Sequence, residues 1–187
     1  MLFTGKGDNG TTKIFGCDQR MSKSSAIAEA LGAVDEINSL LGVVKIKTCP
    51  EPVEGGGEKA AGNISFGDVI NAVQQDLFII QASLAGADKR VEKKHVAWIE
   101  SLVNDIEKEL PPITSFFVSG GTELAAFCDV ARTVARRAER RVVEALEKEK
   151  TGKEELLAYM NRLSSLLYAL ARLANHRAGV KEEKPHY

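Results

Sequence analysis

Apolar residues recur at helical period through most of the chain, and no useful stretch alternates in the way a β-strand would. Ile27, Leu31, Val34, Ile37, Leu41 and Val44 form one stripe. It predicts a first helix from a Ser24 or Ser25 cap to about Lys47. Val69, Val73, Leu77, Ile80 and Leu84 predict a second helix from about Phe66 to Ala85. Ile70, Phe78 and Ile79 extend its apolar surface around much of its circumference, the pattern of a helix covered on several sides. A third helix, from about Val91 to Leu110, carries Ile99, Leu102, Val103, Ile106 and Leu110, and Pro111 and Pro112 stop it. Thr122 caps a fourth that runs to about Lys150, and Thr151-Gly152 breaks it. A fifth, from about Lys153 to Ala178, aligns Leu156, Met160, Leu163, Leu167, Leu170 and Ala174. The predicted fold is all-α, a five-helix antiparallel bundle forming a single domain over residues 1–187.

Three segments lie outside this pattern. Residues 1–23 hold Gly5, Gly7, Gly10 and Gly16 among polar residues and read as an irregular arm. Thr48 to Gly62 mixes proline, glycine and charge and reads as a mobile connection. Residues 180–187 are polar and are expected to fray.

Composition narrows the function classes. Lys and Arg total 25 against 26 Asp and Glu, a net charge of -1, so a general nucleic-acid or anionic-membrane binder is not expected. Cys17, Cys49 and Cys128 are odd in number and show no CxxC spacing, which argues against a disulfide framework or a zinc site. The most apolar run, LFIIQASLAGA from Leu77, is too short to span a bilayer. The N-terminus lacks the charged and apolar regions of a secretory signal. The expected location is cytoplasmic.

Several clusters bear chemistry. TGKGDNGTT, from Thr4, satisfies GxGxxG literally, but no strand or βαβ unit can precede Gly5. Its glycines, hydroxyls and lysine form either a phosphate cradle or a loose terminus. On helix four, Arg132, Arg136, Glu139 and Arg140 share one face, with Arg137 and Arg141 beside it. Five arginines with one intervening acid suit an anion; a solvated face is the alternative. On helix one, Asp35 and Asn38 border the apolar stripe, and Gly32 permits close approach. An acid there wants a partner, and Arg132 is a candidate. On helix five, Asn161, Ser164, Ser165 and Tyr168 form a polar ribbon beside the core stripe. Glu92 to His95 and Glu183 to His186 have the ExxH spacing of di-iron bundles, but Pro185 spoils the second copy. No Ser/His/Asp or Cys/His arrangement stands out among His95, His176 and His186.

In chain order, FTGKGDNGTT, Lys23, AEALGAVDEINSLLG, FFVSGGTELAAFCDVARTVARRAERRVV and MNRLSSLLYALARLAN resemble the PduO-type ATP:cob(I)alamin adenosyltransferase family. The likeness spans essentially the whole chain. It implies a five-helix bundle assembled as a homotrimer, with ATP bound between subunits. It also implies transfer of the 5′-deoxyadenosyl group of ATP to the reduced cobalt of cob(I)alamin, giving adenosylcobalamin and triphosphate. Cobalamin is then a substrate, Mg²⁺ arrives with ATP rather than on protein ligands, and a flavoprotein reductase is a candidate partner. By the same resemblance Thr4, Gly5, Lys6, Gly7, Thr12, Lys13 and Lys23 wrap the nucleotide. Arg136, Arg137, Glu139, Arg140 and Asn161 complete its site. Asp35 and Arg132 match positions that pair near the active centre, and Phe116 matches an aromatic under the corrin ring. The chain departs from the family pattern at Gly5, Lys6, Ser119, Asp129 and Ser165. From the residues alone, a non-catalytic sensor of ATP or a corrinoid and a local nucleic-acid binder remain the rival classes.

Overall fold

The computed structural model describes residues 2–14, 19–48, 64–147 and 153–186. Five helices make up the fold: α1 (Ala26–Thr48), α2 (Phe66–Leu84), α3 (Lys93–Glu109), α4 (Glu123–Ala145) and α5 (Glu154–Arg177). α4 packs against both α1 and α5, α2 lies on α1, and α3 lies on α5. The expected five-helix bundle is therefore observed. The caps explain several boundaries. Ser65 Oγ accepts from the Asp68 amide at 3.3 Å, and Thr122 Oγ1 accepts from the Ala125 amide at 3.1 Å. α4 ends at Ala145, short of the expected Lys150.

The apolar stripes become the core. Val34, Ile37, Leu41 and Val44 of α1 meet α4, whose buried face is built of small residues: Ala125, Cys128, Ala131, Ala135 and Ala138. Small side chains let these two helices approach closely. Two ion pairs bridge these antiparallel helices, one at an end and one partway along: Lys47 Nζ to Glu123 Oε1 at 2.9 Å, and Arg137 to Glu36 Oε1 at 2.6 Å. Within the polar ribbon of α5, Ser164 is buried and donates to the Asn161 carbonyl at 3.1 Å. Phe78 of α2 is 58% exposed, so one part of that helix's apolar surface is uncovered within the chain.

Two expectations need correction, and the ExxH set aside above takes a structural role. The arm is not wholly irregular: β1 (Thr11–Lys13) pairs antiparallel with β2 (Arg20–Ser22), Thr12 opposite Met21. Strands of three residues are too short for alternation to reveal. The tail does not fray entirely, since Glu183 accepts the Val118 amide at 2.8 Å and Glu182 binds Arg172. The first ExxH is a helix cap. His95 Nδ1 accepts the Glu92 amide at 2.9 Å, while Nε2 lies 3.8 Å from Asp76, which also takes the buried Tyr159 hydroxyl at 2.9 Å. The connection expected to be mobile lies, beyond Thr48 and up to residue 63, outside the described residues.

Candidate active site

The arm folds on itself through its glycines. Gly5 and Gly10 adopt positive φ, 67° and 77°, and close turns in which Gly5 accepts from the Asp8 amide and Gly7 from the Gly10 amide. Arg20 ties the turns to the ribbon, donating to Thr11 Oγ1 at 2.6 Å, to the Thr11 carbonyl at 2.8 Å and to the Lys6 carbonyl at 2.5 Å. The Lys23 ammonium lies over Gly7, where an added Cβ would stand 3.1 Å from Nζ. Thr4, Gly5, Lys6, Gly7, Thr12, Lys13 and Lys23 thus belong to one compact loop-and-ribbon unit placed before α1.

Arg132, Arg136 and Arg140 run along α4 at intervals of one turn, spanning roughly 12 Å. Arg137 pairs with Glu36, and Arg140 caps the Arg136 carbonyl at 3.0 Å. Arg141 pairs with Glu144 at 3.0 Å. Asn161 donates to Glu139 at 3.0 Å and accepts from Arg162 at 2.8 Å, which ties α5 to this face. Arg136 is exposed, and its guanidinium meets no acid among the described residues. Solvated surface pairs of this kind contribute little stability.

The expected meeting of Asp35 with Arg132 is not made within the chain. Asp35 is exposed on α1 and accepts from Gln81 of α2 at 3.5 Å. Arg132 pairs with Asp129 at 3.1 Å and lies 6.0 Å from the Tyr168 ring. The α1 acid that reaches α4 is Glu36, one residue and a 100° turn away from Asp35. Gly32 permits no close approach here either, because a Cβ built there would meet nothing within 4 Å.

Beyond Arg132 a cavity of about 530 Å³ opens between loop 113–119, α4 and α5. Phe116 and Phe117 line one side, and Asp129, Arg132, Tyr168 and Arg172 line the other. Phe116 is 80% exposed and does not plug the bundle end. Phe117 packs under Arg172, 5.2 Å from its guanidinium carbon. Burial raises the Tyr168 hydroxyl above the usual phenol range. Ser115 Oγ is enclosed with no hydrogen-bond partner among the described residues, a polar atom suited to a ligand amide. Buried Cys128 has its thiol pushed up to about 12 by desolvation, which removes it as a nucleophile.

Asn175 holds the far end of the loop. Its Oδ1 accepts the Thr122 amide at 2.8 Å, and its Nδ2 donates to the Gly120 carbonyl at 2.8 Å. Gly121, at φ 95°, passes so close that a Cβ there would collide with the Asn175 side-chain amide. Gly121→Ala is expected to destabilise the fold by about 1–3 kcal/mol, visible as a lower melting temperature. No motif singles out Arg20, Arg172 or Asn175. For the last two the signal is a polar residue inside the apolar run LARLAN.

Among the described residues no cluster of three or more His, Cys, Asp or Glu side chains is placed to hold a metal, and no helix is long and apolar enough to cross a membrane.

Comparison with known proteins shows which family the chain is similar to. The chain is 33% identical to a corrinoid adenosyltransferase of Bacillus subtilis, covering 96% of this chain and 89% of the relative. It is 35% identical to the corrinoid adenosyltransferase PduO of Citrobacter freundii, over 95% of this chain but only 50% of that protein. The chain therefore spans about half the length of that relative. A variant PduO-type ATP:corrinoid adenosyltransferase from Lactobacillus reuteri, complexed with cobalamin and ATP, superposes with a TM-score of 0.84 at 28% identity. That match covers 100% of this chain and 97% of the other. The family model described as cobalamin adenosyltransferase matches residues 2–174, and the chain belongs to that family.

Proposed function

We propose that this chain transfers the 5′-deoxyadenosyl group of ATP to the cobalt of cob(I)alamin. The observation that carries this reading is the continuity of one arginine row with one cavity. Arg132 borders the cavity, and Arg136 and Arg140 follow at one-turn steps along α4. A corrinoid in the cavity and a polyphosphate on the arginines are thereby neighbours.

The chemistry demands little else. Reduced cobalt attacks the 5′ carbon, a cobalt–carbon bond forms, and the carbon–oxygen bond to triphosphate breaks. The nucleophile belongs to the corrinoid substrate, so no Ser, Cys or general base is required. The protein orients the two substrates, stabilises the departing polyanion and excludes water. Arg136, Arg137 and Arg140 stabilise charge, with Glu139 and Asn161 fixing their face. The arm, through Thr4 to Gly7, Thr12, Lys13 and Lys23, closes on the phosphates. Mg²⁺ would arrive with the nucleotide on its phosphate oxygens and add positive charge there.

The nucleotide lies between subunits of a homotrimer in this account. Exposed Phe78, and an Arg136 guanidinium that meets no acid among the described residues, support an incomplete single chain. Asp35, exposed and apart from Arg132 within one chain, makes its pair with Arg132 across that contact. The enzyme works in the cytoplasm, with a flavoprotein reductase supplying the electron that takes cob(II)alamin to cob(I)alamin. Sedimentation equilibrium at micromolar concentration is expected to return about three times the 20.3 kDa chain mass. A clean monomer would overturn both the trimer and the shared site. For the reaction itself, triphosphate and adenosylcobalamin should appear one for one. Release of monophosphate without a cobalamin product would contradict it.

A further inference from the structure

We propose that Arg172 and Glu182 act together as a positioning clamp for the loop that carries Phe116, and that this clamp governs the corrinoid side of the site alone. Arg172 belongs to α5 and is only 5% exposed. A guanidinium this deep needs partners on every side. Its Nε donates to both Glu182 oxygens, at 3.0 and 3.1 Å, and one terminal nitrogen donates to Glu182 Oε2 at 3.0 Å. The same terminal nitrogen reaches the Pro111 carbonyl at 3.0 Å, where the loop begins. The Phe117 ring lies against the guanidinium. One residue further along each segment, the Val118 amide donates to the Glu183 carbonyl. Loop and tail are thus joined at the guanidinium and again through the backbone, on both sides of the exposed Phe116.

The tail therefore forms part of the cavity wall. Glu182 lines the same space as Phe116. A bidentate carboxylate on a buried guanidinium fixes orientation as well as distance. α5 is the rigid element, and the loop and tail are the parts it holds. None of these residues touches the Arg136 to Arg140 face, so the nucleotide side has no reason to respond. This inference rests on the cavity being the corrinoid pocket.

A purely stabilising ion pair would lower the melting temperature and damage the use of both substrates alike. A positioning clamp separates them. Arg172→Ala leaves a hole and unpaired partners in a buried region, so the informative variants are Glu182→Ala and Glu182→Gln. Amide hydrogen exchange over residues 113–119 reads the clamp without any corrinoid. In Glu182→Ala it is expected to accelerate about tenfold, with Glu182→Gln intermediate. The fraction of bound cob(II)alamin that is four-coordinate in the presence of ATP is expected to fall by about half or more, and the KM for ATP to stay within about twofold. Unchanged exchange overturns the clamp. So does a wild-type four-coordinate fraction in Glu182→Ala when Phe116→Ala has lost it, or an ATP KM that rises in step. If even the wild-type protein forms no four-coordinate species, the pocket assignment has failed, and the inference falls with it.

Discussion

Arg136→Ala is expected to weaken ATP use, as kcat/KM, by about tenfold or more. A charge-assisted hydrogen bond to phosphate is worth about 1.5–3 kcal/mol, and each 1.4 kcal/mol is a factor of ten. The size follows because Arg136 is exposed and, among the described residues, has no competing acid to leave for the nucleotide. Arg137, already paired with Glu36, should show a smaller loss, since its ion pair is given up when phosphate binds. Arg136→Lys should recover only part of the activity, because an ammonium keeps the charge and loses the fork. Removal of an exposed guanidinium costs the fold little, so melting should hardly change. Unaltered ATP kinetics in a folded Ala variant would show that the row is merely solvated.

Phe116→Ala is expected to give a defect that depends on the assay. With a weak reductant and cob(II)alamin, the rate should collapse if the aromatic, as the family resemblance implies, disfavours axial ligation and makes the cobalt easier to reduce. With cob(I)alamin supplied ready-made, the loss should be much milder. Packing offers no rival explanation of comparable size. A buried Phe→Ala cavity costs about 3–5 kcal/mol, but a side chain that is 80% exposed has little cavity to leave. Equal damage in both assays with a lowered melting temperature would contradict the role. So would a four-coordinate cob(II)alamin signal that survives the substitution.

The helices were legible because their stripes are long. Leu156, Met160, Leu163, Leu167 and Leu170 keep register over four turns, and a structural cap such as Thr122 has a local cause. The ribbon was not legible, since three residues carry no period. Within the site, spacing along α4 placed Arg132, Arg136 and Arg140 on one line, because helical geometry is local. Partner choice between helices is not local. Asp35 and Glu36 differ by one position, and only the packing of α1 on α4 decides that Glu36 reaches Arg137. The docking of Glu182 on Arg172 was hidden for the same reason: a polar tail gives no sign of where it returns.

The most direct test mixes the protein with MgATP and chemically reduced cobalamin under strict exclusion of oxygen. The account predicts that the cob(I)alamin spectrum disappears at a rate proportional to protein and is replaced by that of light-sensitive adenosylcobalamin, with Arg136→Ala markedly slower. A cob(I)alamin spectrum that persists unchanged while the protein still binds ATP would contradict it and leave a nucleotide sensor in its place.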